Sequence, residues 1–167
     1  ETINQYYNFK DKNTKSTIDP HQYFTLNAKV KDDDLIRKFV PDLKSFETIT
    51  LDADYNADEQ RIVVDGVIPN LTYGNNVIDT GKLHLSNENN ALNYSLNVGG
   101  LNSEIFQLKK ININGDIAQN TVNYTVSTKD DKNATQFLVA GNVKLIDEIT
   151  NISLDPNGLV LNYDQWK

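Results

Sequence analysis

The sequence predicts a mainly β protein, an antiparallel meander of about 9–11 amphipathic strands, and three observations lead to that prediction. Apolar and polar residues alternate over long runs, as in residues 24–30 and 92–98, which is the pattern of a strand with one solvated face. Clusters of Asn, Gly and Asp separate these runs. Beyond residue 45 the runs leave no room for crossover helices, so sequential strands are expected to pair.

The chain is expected to divide into two parts. Residues 1–22 are mostly polar and are predicted to form an N-terminal strand and linker. Residues 23–167 carry the alternating pattern and are predicted to form a single β-rich domain. Because the sequence opens with Glu1-Thr2-Ile3 rather than a start residue or a signal peptide, the domain is expected to be a segment of a longer protein.

One segment departs from the period of two. The apolar residues between Leu35 and Val40 stand at helical spacing, after a run of aspartates and before Pro41. Acidic residues are favoured at the start of a helix, and proline interrupts one. The sequence therefore predicts one short helix near residues 33–40.

The remaining strands follow from the same alternation, although some are less regular. The apolar phase changes between Leu108 and Ile111, which requires a bulge or a bend in that strand. Two of the predicted turns are Gly99-Gly100 and Pro156-Asn157-Gly158. The predicted strands cover residues 49–55, 62–68, 77–85, 92–98, 105–117, 122–126, 137–143, 149–154 and 159–163.

Composition removes several classes of function. The net charge of -7, from 16 basic and 23 acidic residues, argues against a nucleic-acid surface, which needs clustered cations. Cysteine is absent, so thiolate catalysis and cysteine metal sites are excluded. The two histidines, His21 and His84, lie far apart without a neighbouring metal-ligand pattern. No nucleophile elbow or phosphate loop occurs, so we predict no enzyme, no cofactor and no metal site.

The segment Asp52–Asp58 imitates the start of an EF-hand calcium loop. Ala57 stands where that loop needs glycine, and Val63 stands where it needs a bidentate glutamate. Its first aspartates fall in the polar phase of a strand. A solvated hairpin is therefore predicted there rather than a calcium site.

The apolar phases of successive strands predict one continuous surface, which we call the apolar face. Such a face must be covered by a second sheet, by closure, by a helix or by a ligand, and one short helix covers little of it. Two arrangements remain open: a flattened sandwich with a dry core, and a curved open sheet whose apolar face is a groove for acyl chains. The candidate groove residues are Phe24, Leu26, Leu51, Ile62, Val64, Leu83, Leu85, Leu92, Tyr94, Leu96, Ile111, Ile113, Tyr124, Val126, Phe137 and Val139.

Four features in a fixed order resemble the TamB and AsmA-like family of Gram-negative envelope proteins, especially its Bacteroidetes members. The resemblance extends over residues 23–163, and its motifs are degenerate. The features are the helix of Leu35–Leu43 leading into residues 46–53, the hairpin of residues 70–85, the strand of Ile111–Ile117, and the strand of Phe137–Val143.

The resemblance implies a periplasmic protein that is anchored in the inner membrane by an upstream helix. Its β-groove would carry phospholipid acyl chains towards the outer membrane, with an Omp85-class barrel as partner through other parts of the full-length protein. The family offers no catalytic residues to transfer. The alternative is an exported glycan-binding or adhesive β-sandwich at the cell surface. That alternative needs exposed aromatic residues, but Trp166 is the sole tryptophan and most tyrosines fall in the apolar phase.

Overall fold

One antiparallel sheet of 11 strands contains most of the residues that the structure describes, namely 6, 21–88, 90–146 and 149–166 of a computed structural model. The predicted 1–22 segment therefore lies mostly outside the described residues. The elements are β1 (Tyr23–Val30), α1 (Asp34–Phe39), β2 (Leu43–Phe46), β3 (Ile49–Asn56), β4 (Arg61–Tyr73), β5 (Asn76–Glu88), β6 (Ala91–Asn102), β7 (Gln107–Ala118), β8 (Thr121–Lys129), β9 (Thr135–Ile146), β10 (Ile149–Leu161) and β11 (Asp164–Trp166).

The predicted meander is confirmed. From β3 onward each strand pairs with the next, in the order β1-β3-β4-β5-β6-β7-β8-β9-β10-β11. The exception is β2, which pairs with the far end of β4, so that β2 and β3 lie along the same side of that strand. The sheet is open and is not closed into a barrel. Within the described ranges there is no second sheet, so the flattened sandwich is not the arrangement adopted.

The predicted short helix is present as α1. The carboxylate of Asp33 caps it by accepting a hydrogen bond from the Leu35 N–H at 2.7 Å, as an N-cap residue should. Arg37 pairs with Asp32 and Asp34 across the first turn. None of its residues is buried, and Phe39 is 80% exposed, so α1 does not cover the sheet. No helix in the described part of the chain combines the length and the hydropathy needed to cross a membrane.

Two predicted turns are wrong, because both lie inside strands. Gly99-Gly100 belongs to β6, where a side chain at Gly99 would come within 3.2 Å of the Asp79 backbone and carboxylate. The glycine there allows β5 to approach β6 closely and does not reverse the chain. Pro156-Asn157-Gly158 belongs to β10, where the register against β9 shifts as the extra residues form a bulge.

The predicted change of apolar phase in β7 coincides with a bend that crosses several strands. Thr80, Gly99 and Lys110 stand in β5, β6 and β7 at the positions where the cross-strand pairing of these strands is interrupted, and we call them the bend row. Thr80 has φ of 43° and Lys110 has φ of 46°, values that L residues rarely adopt within a strand. On the other side of the bend row, the apolar residues of each strand occupy the alternate positions that are polar before it. An example is the cross-strand row of Leu71, Ile78, Leu101 and Leu108.

Candidate functional site: an open apolar face

All of the candidate groove residues lie on one face of the sheet, because cross-strand partners in an antiparallel sheet share a face. One cross-strand row begins at Ala28 in β1 and ends at Leu159 in β10, and its members are apolar or glycine throughout. That row is Ala28, Leu51, Gly66, Leu83, Leu96, Ile113, Val126, Val139 and Leu159. Parallel to it runs the row Leu26, Ala53, Val64, Leu85, Tyr94, Gly115, Tyr124, Gly141 and Leu154.

Two outer rows hold the other candidate residues. Phe24, Tyr55 and Ile62 are partners at one margin, and Leu92 continues that margin in β6 together with Ile117 and Val122. At the opposite margin, Val98 pairs with Ile111, and Phe137 pairs with Leu161. The apolar face predicted from the alternation is therefore a single surface from β1 to β10.

This face is open to solvent over much of its area. Phe24 is 54% exposed, Leu26 is 43% exposed and Leu83 is 39% exposed. No large side chain among the described residues is fully buried. A dry core would bury such side chains almost completely, so the apolar face is not the interior of a sandwich.

A cavity of about 240 Å³ lies on the apolar face near the β1 edge. Two glycines leave space for this cavity. Gly66 pairs with Leu83 and Gly81 pairs with Val98, so both glycines lie on the apolar face, where a larger side chain would fill the cavity. The lining is almost wholly apolar and consists of Ala28, Val30, Ile49, Thr50, Leu51, Gly66, Val67, Ile68, Gly81, Leu83 and Leu96. Hydrocarbon is the ligand class that such a lining favours.

One margin of the face is closed. Leu92, at the start of β6, is only 3% exposed, and Tyr6 is 7% exposed. The Tyr6 hydroxyl accepts a hydrogen bond from Asn87 Nδ2 at 3.0 Å, and the Tyr6 carbonyl accepts one from the Asn120 N–H at 3.0 Å. Since Asn87 belongs to β5 and Asn120 to the β7–β8 turn, Tyr6 bridges the strand ends on either side of Leu92. Nothing in the sequence pattern indicated this closure.

The two tyrosines of the inner rows, Tyr94 and Tyr124, stand beside glycines. Tyr94 pairs with Gly115, and its hydroxyl donates a hydrogen bond to the Asn123 carbonyl in β8 at 2.8 Å. The Tyr94 ring therefore covers the backbone where Gly115 has no side chain. Partial burial, with a smaller contribution from the Asp116 charge, raises the pKa of Tyr94 above its ordinary value. The phenol is thus neutral at physiological pH and adds no charge to the apolar face.

The opposite face is polar and holds pairs that sequence spacing did not reveal. His84 Nδ1 lies 2.7 Å from Asp65 Oδ1, its cross-strand partner, and His21 Nδ1 lies 3.2 Å from Asp58. Each histidine therefore has an acidic neighbour that the sequence analysis missed, because strand register sets the contact. Across the described positions, no group of three His, Asp or Glu residues could hold a metal ion.

The calcium-like segment is a hairpin whose carboxylates have protein partners. Asp52 accepts a hydrogen bond from Asn27 Nδ2 at 2.6 Å, and Asp54 pairs with Arg61 at 2.5 Å. Asn56 Oδ1 accepts hydrogen bonds from the N–H groups of the turn that follows it. These groups lie along a strand and do not converge on one point as calcium ligands would.

The ion pair between Lys109 and Asp131 gives a testable titration. Lys109 Nζ lies 2.7 Å from Asp131 Oδ2, and this hydrogen bond, followed by the charge of Lys109, lowers the pKa of Asp131. The pair therefore stabilises the fold above the ordinary aspartate pKa, and its contribution is lost as the pH falls through the lowered value. In a carboxyl ¹³C NMR titration, Lys109→Gln should raise the pKa of Asp131, whereas Lys144→Gln should leave it unchanged. An unaltered pKa in Lys109→Gln would contradict the pairing.

Comparison with known proteins returns no matching family model, no matching curated protein and no matching solved structure. The resemblance to the TamB and AsmA-like family consequently stays a prediction that depends on the residues themselves. The class that the fold and the site define is an open antiparallel β-sheet with one exposed apolar face. Any functional argument has to begin from that face.

Proposed function

We propose that this chain is a non-catalytic segment of a periplasmic β-groove protein of the TamB and AsmA-like kind. In this proposal the apolar face carries phospholipid acyl chains between the inner and the outer membrane. The observation that supports it best is the continuity of the apolar face from β1 to β10 together with its exposure. An exposed apolar surface of this extent is unfavourable in water and is typical of a surface that binds a partner or a ligand.

The dimensions of the face suit an acyl chain. The sheet has eight interstrand spacings between β1 and β10, which at about 4.8 Å each give apolar rows about 38 Å long. One leaflet of a bilayer core is about 15 Å thick, so an acyl chain would extend over only part of a row. The face therefore has room for a chain to move from one strand to the next while it stays on apolar surface.

The transport step would be passive. Each buried CH₂ gains about 0.8 kcal/mol whether it lies in a membrane or on the apolar face. Because apolar residues or glycines succeed one another along each inner row, a sliding chain would meet no charged residue there. Catalytic groups are not needed for such a step, which agrees with the absence of catalytic motifs from the sequence.

The setting and partners follow the same resemblance. The full-length protein would be anchored in the inner membrane, and an Omp85-class outer-membrane barrel would be contacted through other parts of it. The acidic charge of this chain fits a protein that does not bind nucleic acid. The polar residues on the opposite face, such as Lys82 and Asn97, keep that side of the sheet in water.

Site-specific photocrosslinking tests the proposal. Leu83 and Leu96 are cross-strand partners on the apolar face, and His84 and Ser95 are an adjacent pair on the opposite face. Photoreactive residues placed singly at Leu83 and Leu96 in the full-length protein in cells should capture lipid, which mass spectrometry would identify. The matched positions His84 and Ser95 should capture at least tenfold less.

Two results would overturn the proposal. Equal labelling at all four positions would indicate non-specific contact with membranes, and labelling at none would show that the apolar face does not meet lipid. Circular dichroism of each variant should retain the strand signal, so that a loss of labelling is not a loss of folding.

A further inference from the structure

A large cavity lies on the polar side of the sheet, at the bend row. Its volume is about 660 Å³, and its lining includes the Lys82, Lys110 and Lys129 side chains. Lys82 belongs to β5 and Lys129 to β8, three strands further along the meander, and the cavity extends over the strands between them. We call it the lysine cavity.

The charge of the lysine cavity is opposite to that of the chain. No aspartate or glutamate lines it, although acidic residues outnumber basic ones by 23 to 16 in the sequence. Within the described ranges none of its three lysines lies within 4 Å of a carboxylate; Lys110 instead donates a hydrogen bond to Asn133 Oδ1 at 2.5 Å. Like charges held around one space repel each other unless an anion joins them.

Three acidic groups beside the lysine cavity, Asp79, Asp130 and Asp131, already have hydrogen-bond partners. Asp131 is paired with Lys109 at 2.7 Å, and Asp79 accepts a hydrogen bond from the Thr80 hydroxyl at 2.8 Å. Asp79 also lies against the backbone of Gly99 at the cavity wall. Asp130 and Asp131 line a neighbouring cavity together with Lys109 and Lys129, so four lysines stand against three carboxylates in this region and the excess is one positive charge.

The rest of the lining consists mainly of neutral hydrogen-bonding groups, together with the backbone of Gly99 and the apolar residues Val98 and Ile111. Lys82, Asn97, Asn112 and Ser127 are successive cross-strand partners, and Asn112 donates a hydrogen bond to Asn97. Amide and hydroxyl groups beside lysines form the donor set that phosphate oxygens accept from. The lysine ammonium groups supply positive charge, and the asparagine side-chain amides supply hydrogen-bond donors of fixed orientation.

The backbone at the lysine cavity is held in an unusual conformation. Thr80 and Lys110, both in the lining, have positive φ, and for a β-branched residue such as threonine this is a clear outlier. Outliers of this kind persist only where the surrounding structure fixes them, and they concentrate at binding sites. The bend that creates the cavity is therefore costly and is maintained within the sheet.

We propose that the lysine cavity binds a phosphate-bearing ligand. The phosphate could belong to a phospholipid headgroup or to a small soluble phosphate, and the chemistry recognised is the same. The row of Lys82, Asn97, Asn112 and Ser127 lies on the face opposite to the apolar rows, so this proposal does not depend on lipid carriage.

Titration of the ¹⁵N-labelled chain with inorganic phosphate tests the proposal, with sodium chloride at equal ionic strength as the reference. Saturable shifts of the Asn97 and Asn112 side-chain amide signals are expected with phosphate and not with chloride. The double variant Lys82→Gln/Lys129→Gln should weaken binding at least tenfold, and Lys82→Arg/Lys129→Arg should retain it. The matched variant Lys29→Gln/Lys144→Gln removes the same charge outside the cavity and should bind as the original chain does.

Glycerol 3-phosphate in a parallel titration distinguishes the two sources. Binding at least tenfold tighter than that of inorganic phosphate would support a headgroup, and equal binding would support a small soluble phosphate. The proposal is overturned if phosphate produces no saturable shift, or if the matched variant weakens binding as much as the cavity variant. Circular dichroism of the variants checks that the sheet is intact.

Discussion

Replacing Gly115 by alanine is expected to destabilise the sheet by about 2–3 kcal/mol. An added Cβ would lie 1.9 Å from the Asn123 carbonyl oxygen and 2.6 Å from the Tyr94 hydroxyl. The first neighbour is backbone and cannot rotate away, so β7 and β8 would have to separate. A fall in the urea midpoint relative to the original chain measures the effect.

The matched control is Gly66→Ala, at another glycine of the apolar face. Its added Cβ would meet Leu83 Cβ at 3.5 Å, which is ordinary contact. Because alanine loses less backbone entropy than glycine on folding, this variant should be neutral or up to about 1 kcal/mol more stable. Equal losses at the two positions would show that close strand contact at Gly115 is not the cause.

Replacing Leu92 by alanine is expected to cost about 2–4 kcal/mol, since truncation of a buried leucine leaves a cavity. Leu92 lies at the closed margin, where Tyr6 bridges Asn87 and Asn120, and only 3% of it is exposed. Urea denaturation of Leu92→Ala would measure the loss.

Leu83→Ala removes the same atoms from the open part of the face, where the side chain is 39% exposed. Water can enter the space that is left, so the cost should be about 1 kcal/mol or less. If Leu83→Ala were as destabilising as Leu92→Ala, the middle of the apolar face would be covered in solution, and the proposed lipid-carrying role would lose its basis.

Local patterns predicted the strands and the face they form. The alternation around Leu83 and Leu96 depends on adjacent residues only, and a strand period of two leaves one choice of face. The helix α1 was predictable for a similar reason, since the cap at Asp33 and the interruption at Pro41 are local. The end of β4 was not, because the alternation predicted a strand over residues 62–68, whereas β4 continues to Tyr73.

Long-range features were beyond the sequence pattern. The pairing of β1 with β3, and of β2 with the end of β4, depends on which strands meet after the helix. The contact of His84 with Asp65 and the convergence of Lys82 with Lys129 depend on register across several strands. Glycine pairs such as Gly99-Gly100 are ambiguous for a physical reason: the missing side chain permits either a reversal or a close backbone approach.

The sequential pairing of the strands also determines how the molecule loses structure. Beyond the short β2, each described strand packs extensively only against its neighbours in the meander, as the units of a linear repeat array do. Unfolding should therefore start at the two edges of the sheet, at β1 and at β10–β11, and proceed inward strand by strand. A destabilising substitution in one strand would lower the stability of the adjacent strands and leave that of distant strands unchanged. The sheet therefore behaves energetically as a one-dimensional chain of coupled segments.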